Sequence, residues 1–110
     1  MYKEVAKLSD LEGGEVFPVD VDGVAMVLYQ SGTGVRACQR YCPHQGSDLS
    51  EGLVSRGSLI CAAHGWRFDA DTGVHETSAA TCLATYATRV LGDLILVDPT
   101  PIRNGEAPHD

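Results

Sequence analysis

Two stretches decide how this chain is read: CPHQGSDLSEG at 42–52 and CAAHGWRFDADTG at 61–73. Each opens on a cysteine and soon follows it with a histidine, as Cys-x-His in Cys42 and His44 and as Cys-x-x-His in Cys61 and His64. Residues 45–60 separate the two pairs. Thiols and imidazoles are both good ligands for borderline and soft metals, so the four side chains form a plausible donor set. Two cysteines with two histidines make a common zinc set, but zinc fingers usually keep the two cysteines in one half-site and the two histidines in the other. Here each half is mixed. A mixed pair suits a binuclear centre, because each loop can give its cysteine to one metal and its histidine to the other.

The rest of the chain bounds what such a centre can serve. At 110 residues with 44% hydrophobic content it is one modest domain rather than two, and it is not a disordered segment. No apolar run reaches the roughly 18 residues that span a bilayer. The opening MYKEVAKLSDLEGGE lacks the apolar centre of a secretion signal, which leads us to expect a cytoplasmic protein with reduced thiols. In that compartment four cysteines point to metal before disulfides. The formal charge is −7, from 15 acidic and 8 basic residues, which disfavours a nucleic-acid partner and favours a protein partner with a positive face.

Short apolar runs broken by turn residues predict an all-β fold, a small antiparallel sandwich or incomplete barrel. Strands are expected at 2–7, 15–21, 24–30, 35–40, 58–62, 66–69, 74–76, 86–91 and 94–98. Asp22-Gly23 and Gly92-Asp93 read as tight turns, and 31–34 as a longer hairpin loop. A single helical turn is expected near Ser9 and Asp10, either of which can cap it. Residues 1–98 form the expected domain, and the proline-rich 99–110 an expected surface tail. Both Cys/His pairs fall at strand ends followed by turn residues, Pro43 and Gly46 in one and Gly65 in the other. Two loops at one tip of the fold can therefore bring the four ligands together.

These two stretches resemble the cluster loops of Rieske-type 2Fe–2S ferredoxins, in which two histidines replace two cysteines on one iron. The resemblance covers nearly the whole chain. It implies that Cys42 and Cys61 bind one iron of a single Rieske-type 2Fe–2S cluster and that His44 and His64 bind the other. It also implies a docking and cofactor environment made by Pro43, Gln45, Gly46, Gly65, Trp66 and Phe68, with the two histidines as the electron exit. The high-potential members of the group add a disulfide whose cysteines would stand at Ser47 and Ala63, so this chain lacks it. They also place hydroxyl donors where this chain has Trp66 and Phe68. Hydrogen bonds to cluster sulfurs raise the potential, so their absence implies a value near the low end of the Rieske range, about −150 mV.

Within the group, CPHQ, CAAHGW, TCLATYATRV at 81–90 and the tail PIRNGEAPH resemble the ferredoxin component of soluble di-iron monooxygenases acting on toluene, alkenes or isoprene. That branch carries a proline where this chain has Ala87. The resemblance implies a monomeric carrier with no reaction of its own, fed by a flavin-containing NADH reductase and discharging to a terminal oxygenase. A ring-hydroxylating dioxygenase is the alternative recipient. No nucleophile triad or phosphate loop argues for catalysis. Cys38 and Cys82 are expected as small buried hydrophobes, His75 and His109 as exposed side chains.

Overall fold

The computed structural model describes residues 1–32, 34–43, 46–62, 65–76 and 82–102. Among the described residues nine strands form in chain order: β1 (Lys3–Lys7), β2 (Phe17–Val21), β3 (Val24–Ser31), β4 (Gly34–Gln39), β5 (Leu53–Ser55), β6 (Ser58–Ile60), β7 (Arg67–Asp69), β8 (Thr85–Leu91) and β9 (Leu94–Ile102). Six of them make one antiparallel sheet in the order β1-β9-β8-β4-β3-β2, and its two edge strands come close enough for the sheet nearly to close. The other three make a small sheet, β5-β6-β7. This is the expected all-β incomplete barrel with a second layer.

The turns obey local chemistry. Asp22 and Gly23 take φ of 51° and 82°, the type I′ pattern that matches strand twist, and Val21 pairs with Val24 across them. Arg56 and Gly57 do the same between β5 and β6, at 52° and 79°. Their hairpin escapes a sequence reading because Leu53–Ser55 is too short to show a period and Arg-Gly is not a marked turn pair.

β3 explains how one short chain has two cores. Met26 and Leu28 face the interior of the large sheet, with Val35, Ala37, Ile95 and Val97. Val27 and Tyr29 face the other way, into a cluster with Cys38, Leu49, Leu59 and Phe68 under the small sheet. Because side chains alternate along a strand, burying both faces demands an unbroken apolar run, which Val24–Tyr29 supplies.

Several expected boundaries move. No strand forms at 74–76; Val74 and His75 make only isolated bridges, to Cys82 and Phe68. The last strand does not stop at Asp98 but runs through Pro99 and Pro101 to Ile102, pairing Pro101 with Tyr86 and Ile102 with Thr85. β1 pairs only with Leu94–Val97, so beyond that point β9 has an open side where a missing N–H is harmless. The helical turn is a 3-10 turn, Leu8–Leu11, and Asp10 accepts a hydrogen bond from the Lys7 N–H at 3.0 Å. A second 3-10 turn, Leu49–Glu51, follows the first cysteine loop, outside the expected elements.

Candidate metal centre

Cys42 and Cys61 stand at matching places in two matching turns. In the first, the Cys42 N–H donates to the Ser47 carbonyl and the Gly46 N–H to the Cys42 carbonyl, both at 2.8 Å. In the second, the Cys61 N–H donates to the Trp66 carbonyl at 2.8 Å and the Gly65 N–H to the Cys61 carbonyl at 2.9 Å. Gly46 and Gly65 sit at φ 71° and 70°, a left-handed conformation that glycine adopts without cost. A Cβ on either would meet nothing within 4 Å, so backbone conformation alone calls for glycine there. The turns are closed in the same register, by Tyr41 opposite Asp48 and by Ile60 opposite Arg67. The one-residue difference between Cys-x-His and Cys-x-x-His thus falls inside one and the same turn.

The two turns are tied to each other as well. Both cysteines are buried (2% and 1% exposed), and both belong to one apolar cluster. Gly52, which ends the first half-motif, lies where the chain leaving the first turn crosses the strand entering the second. A Cβ there would stand 2.1 Å from the Ile60 carbonyl oxygen. Only glycine permits this approach.

The stems differ. Ile60–Arg67 is the end of a regular ladder in which Leu59 faces Phe68 and Ser58 faces Asp69. Tyr41–Asp48 is an isolated bridge. Around it the Arg40 guanidinium grips the Asp48 carboxylate, Nε at 3.1 and 3.2 Å and Nη2 at 2.9 Å. Asp48 also caps the 3-10 turn by accepting from the Ser50 N–H at 2.9 Å. The Arg40 hydrogen bonds, with those from Ser50, hold the Asp48 carboxyl down to about 2, and Asp48 in turn raises Arg40. The Gln39 side chain adds a second tie, donating to the Tyr41 carbonyl at 2.6 Å and accepting from the Ala84 N–H at 2.8 Å. Gln39, Arg40, Asp48 and Gly52 carry no signal in the sequence alone, since no spacing rule marks a residue that closes or crosses a hairpin.

Of the other residues named from sequence, Phe68 is wholly buried and so belongs to the interior, not to a docking face. Trp66 is half-buried; its ring centroid lies 4.4 Å from that of His75 and 6.3 Å from that of Phe68. Trp66 also lines an open pocket with Gly65, Arg67, His75 and Glu76, so it serves packing and surface together. His75 is not an exposed histidine: it is half-buried, edge-on to both Trp66 and Phe68. Pro43 and Gly46 are exposed beside the first cysteine, as is Gly65 beside the second. His44, Gln45, Ala63, His64 and His109 lie outside the described residues.

Cys38 is fully buried, as expected, and desolvation pushes its thiol up to about 12 despite a hydrogen bond with Tyr29. Cys82 is half-buried. The Tyr29 hydroxyl, in the same cluster as Cys42 and Cys61, donates to the Ala70 carbonyl at 2.8 Å. Burial raises its pKa well above the ordinary tyrosine value, so it stays a neutral donor.

The donor chemistry fits a two-iron, two-sulfide cluster. Two buried thiols on paired turns, each with a histidine in the same turn by sequence, are the mixed set such a cluster takes. With two ferric ions, two sulfides and two thiolates the charges cancel, which suits an apolar surround.

Comparisons agree. Residues 1–87 match the family model described as Rieske [2Fe-2S] domain. The chain is 34% identical over 108 residues to the ferredoxin component of the alkene monooxygenase system of Xanthobacter autotrophicus, covering 96% of this chain and 88% of that protein. The solved ferredoxin of carbazole 1,9a-dioxygenase from Nocardioides aromaticivorans IC177 superposes with a TM-score of 0.82 at 29% identity, covering 91% of this chain and 99% of that one. A chain in a complex of reduced oxygenase and oxidized ferredoxin of carbazole 1,9a-dioxygenase superposes with a TM-score of 0.81 at 25% identity, covering 93% of this chain and 96% of that one. Cysteine turns, fold and family model converge: this chain belongs to the Rieske family and carries that family's single 2Fe–2S cluster.

Proposed function

We propose that this protein is a low-potential electron carrier, taking single electrons from a flavin-containing NADH reductase and delivering them to the hydroxylase of a di-iron monooxygenase. The observation that carries this reading is end-to-end similarity to a monooxygenase ferredoxin component, 34% identical over 96% of this chain. The 2Fe–2S cluster supplies one-electron chemistry; the protein supplies its ligands and its environment. Cys42 and Cys61 bind one iron and His44 and His64 the other, so the imidazoles form the exit edge. Pro43, Gln45, Gly46, Gly65 and Trp66 frame that edge, while Phe68 and Leu59 pack behind it. The role is electron transfer in the cytoplasm, by a monomer with no substrate of its own. Among the described residues, no helix is long and apolar enough to cross a membrane.

Likeness to a carbazole dioxygenase ferredoxin supports a second recipient, the oxygenase of a ring-hydroxylating system. Reconstitution separates the two. With NADH and a ferredoxin reductase, this protein is expected to drive alkene oxidation by a di-iron hydroxylase at least tenfold faster than it drives a ring-hydroxylating oxygenase. The reverse order would assign it to the dioxygenase branch, and turnover with neither would end the carrier reading. With a formal charge of −7, turnover is also expected to fall as ionic strength rises.

A further inference from the structure

The first cysteine turn lacks the foundation of the second, and two charged side chains stand where that foundation is missing. Residues 60–67 cap a hairpin whose rungs continue below it through Leu59–Phe68 and Ser58–Asp69. Residues 41–48 have one isolated rung, because β4 ends at Gln39 and the chain does not return to a strand until Leu53. The geometry points to the Arg40–Asp48 pair as the clamp that replaces a ladder, making both positioning residues that fix the Cys42 thiol as a cluster ligand. This rests on the proposed assignment of Cys42 as an iron ligand.

Each end of the clamp is anchored. The Arg40 N–H donates to the Ala25 carbonyl of β3 at 3.3 Å, and the Arg40 carbonyl accepts from the Leu49 N–H at 2.7 Å. Asp48 is held by the two guanidinium nitrogens and by the Ser50 N–H together. Other ion pairs look different. Lys3 and Asp22 meet at 3.9 Å with side chains 42% and 58% exposed, a surface contact of little consequence. Arg40 and Asp48 are 26% and 25% exposed and share a forked contact. A fork is a property of arginine: lysine keeps the charge but not the two parallel donors.

The test follows from that difference. Holoproteins carrying Arg40→Gln, Asp48→Asn and Arg40→Lys are challenged with an iron chelator while the visible Rieske bands are followed, and the EPR g-values of the reduced cluster are recorded. All three are expected to lose the cluster about tenfold faster than wild type, as when a residue supporting a metal ligand is removed, and to show shifted g-values. Arg36→Gln, which removes an arginine from the separate Arg36–Asp71 pair, is expected to behave as wild type. Should Arg40→Gln not fold, Asp48→Asn and Arg40→Lys decide alone. Wild-type retention in the Arg40 and Asp48 variants overturns the clamp while leaving the ligand assignment intact. Wild-type behaviour of Arg40→Lys alone also overturns it, since charge and not the fork would then act. A wild-type protein without Rieske bands overturns the ligand assignment, and the clamp with it.

Discussion

Residues 41–48 and 60–67 close turns of one length with the same pair of backbone hydrogen bonds and the same left-handed glycine, yet they stand on different supports. The second turn ends a three-stranded sheet. The first is propped by Arg40, Asp48, Gln39 and a 3-10 turn. Equal turns need the same left-handed residue at the same place, which is why each has glycine four residues after its cysteine. Unequal supports mean that side chains outside the turns matter more for the first than for the second. Perturbations of the turns themselves should therefore act symmetrically, and perturbations of the stems should not.

The largest symmetric effect is loss of a thiol. Cys42→Ser and Cys61→Ser are each expected to abolish the Rieske spectrum and to lower bound iron to background, measured by absorbance and metal analysis. Cys38→Ala is expected to keep both, since its buried thiol stays protonated and packs as an apolar group. A coloured Cys42→Ser protein with colourless Cys61→Ser would break the equivalence of the turns.

The glycines sharpen it next. Gly46→Ala and Gly65→Ala force alanine into left-handed backbone with open space around it, and each should cost about 1–2 kcal/mol in chemical unfolding. Gly52→Ala meets the Ile60 carbonyl oxygen and must move backbone, so about 3 kcal/mol is expected. A Gly52→Ala protein no less stable than Gly46→Ala would mean that the crossing between the turns gives way freely.

Acid distinguishes the stems. The Asp48 carboxyl is held at about 2 in the folded protein, below the 3.8 usual for aspartate. A depressed folded value contributes stability that is complete above about pH 4 and fades as pH falls towards about 2. The gap in urea midpoint between wild type and Asp48→Asn should thus be full near neutrality and close in acid, followed by circular dichroism. A gap that persists at about pH 2 would assign the effect of the substitution to something other than the ion pair.

How much of this was legible in the sequence follows from where each signal lies. The cysteine turns are local, with glycine four residues after each cysteine where φ is positive, so these turns and most strands could be read directly. The stems are not local. Arg40 and Asp48 are an unremarkable basic and an unremarkable acidic residue until a hairpin brings them face to face, and Gly52 is one turn glycine among many until Ile60 passes beside it. His75 misled for the same reason: a lone histidine after Val74 looks exposed, and only packing against Trp66 and Phe68 buries it. The prolines at 99 and 101 suggested a tail because a strand with one open side has no signature of its own.

The smallest expected effect concerns electronics alone and lies wholly on the second turn. Trp66 and Phe68 have no hydroxyl to give a cluster sulfur. Tyr29, a hydroxyl-bearing member of the same buried cluster, spends its proton on the Ala70 carbonyl, a bond that fixes β3 to the end of β7. Hydrogen-bonded sulfurs favour the reduced cluster, so the lack of a hydroxyl at positions 66 and 68 leads us to expect a potential of about −150 mV, at the low end of the Rieske range. Trp66→Ser restores a hydroxyl at the half-buried position without opening the core that Phe68 fills, so a redox titration should show a higher potential with the visible spectrum intact. An unchanged potential would mean that a hydroxyl at position 66 does not reach a cluster sulfur, and would remove position 66 from the account of the potential.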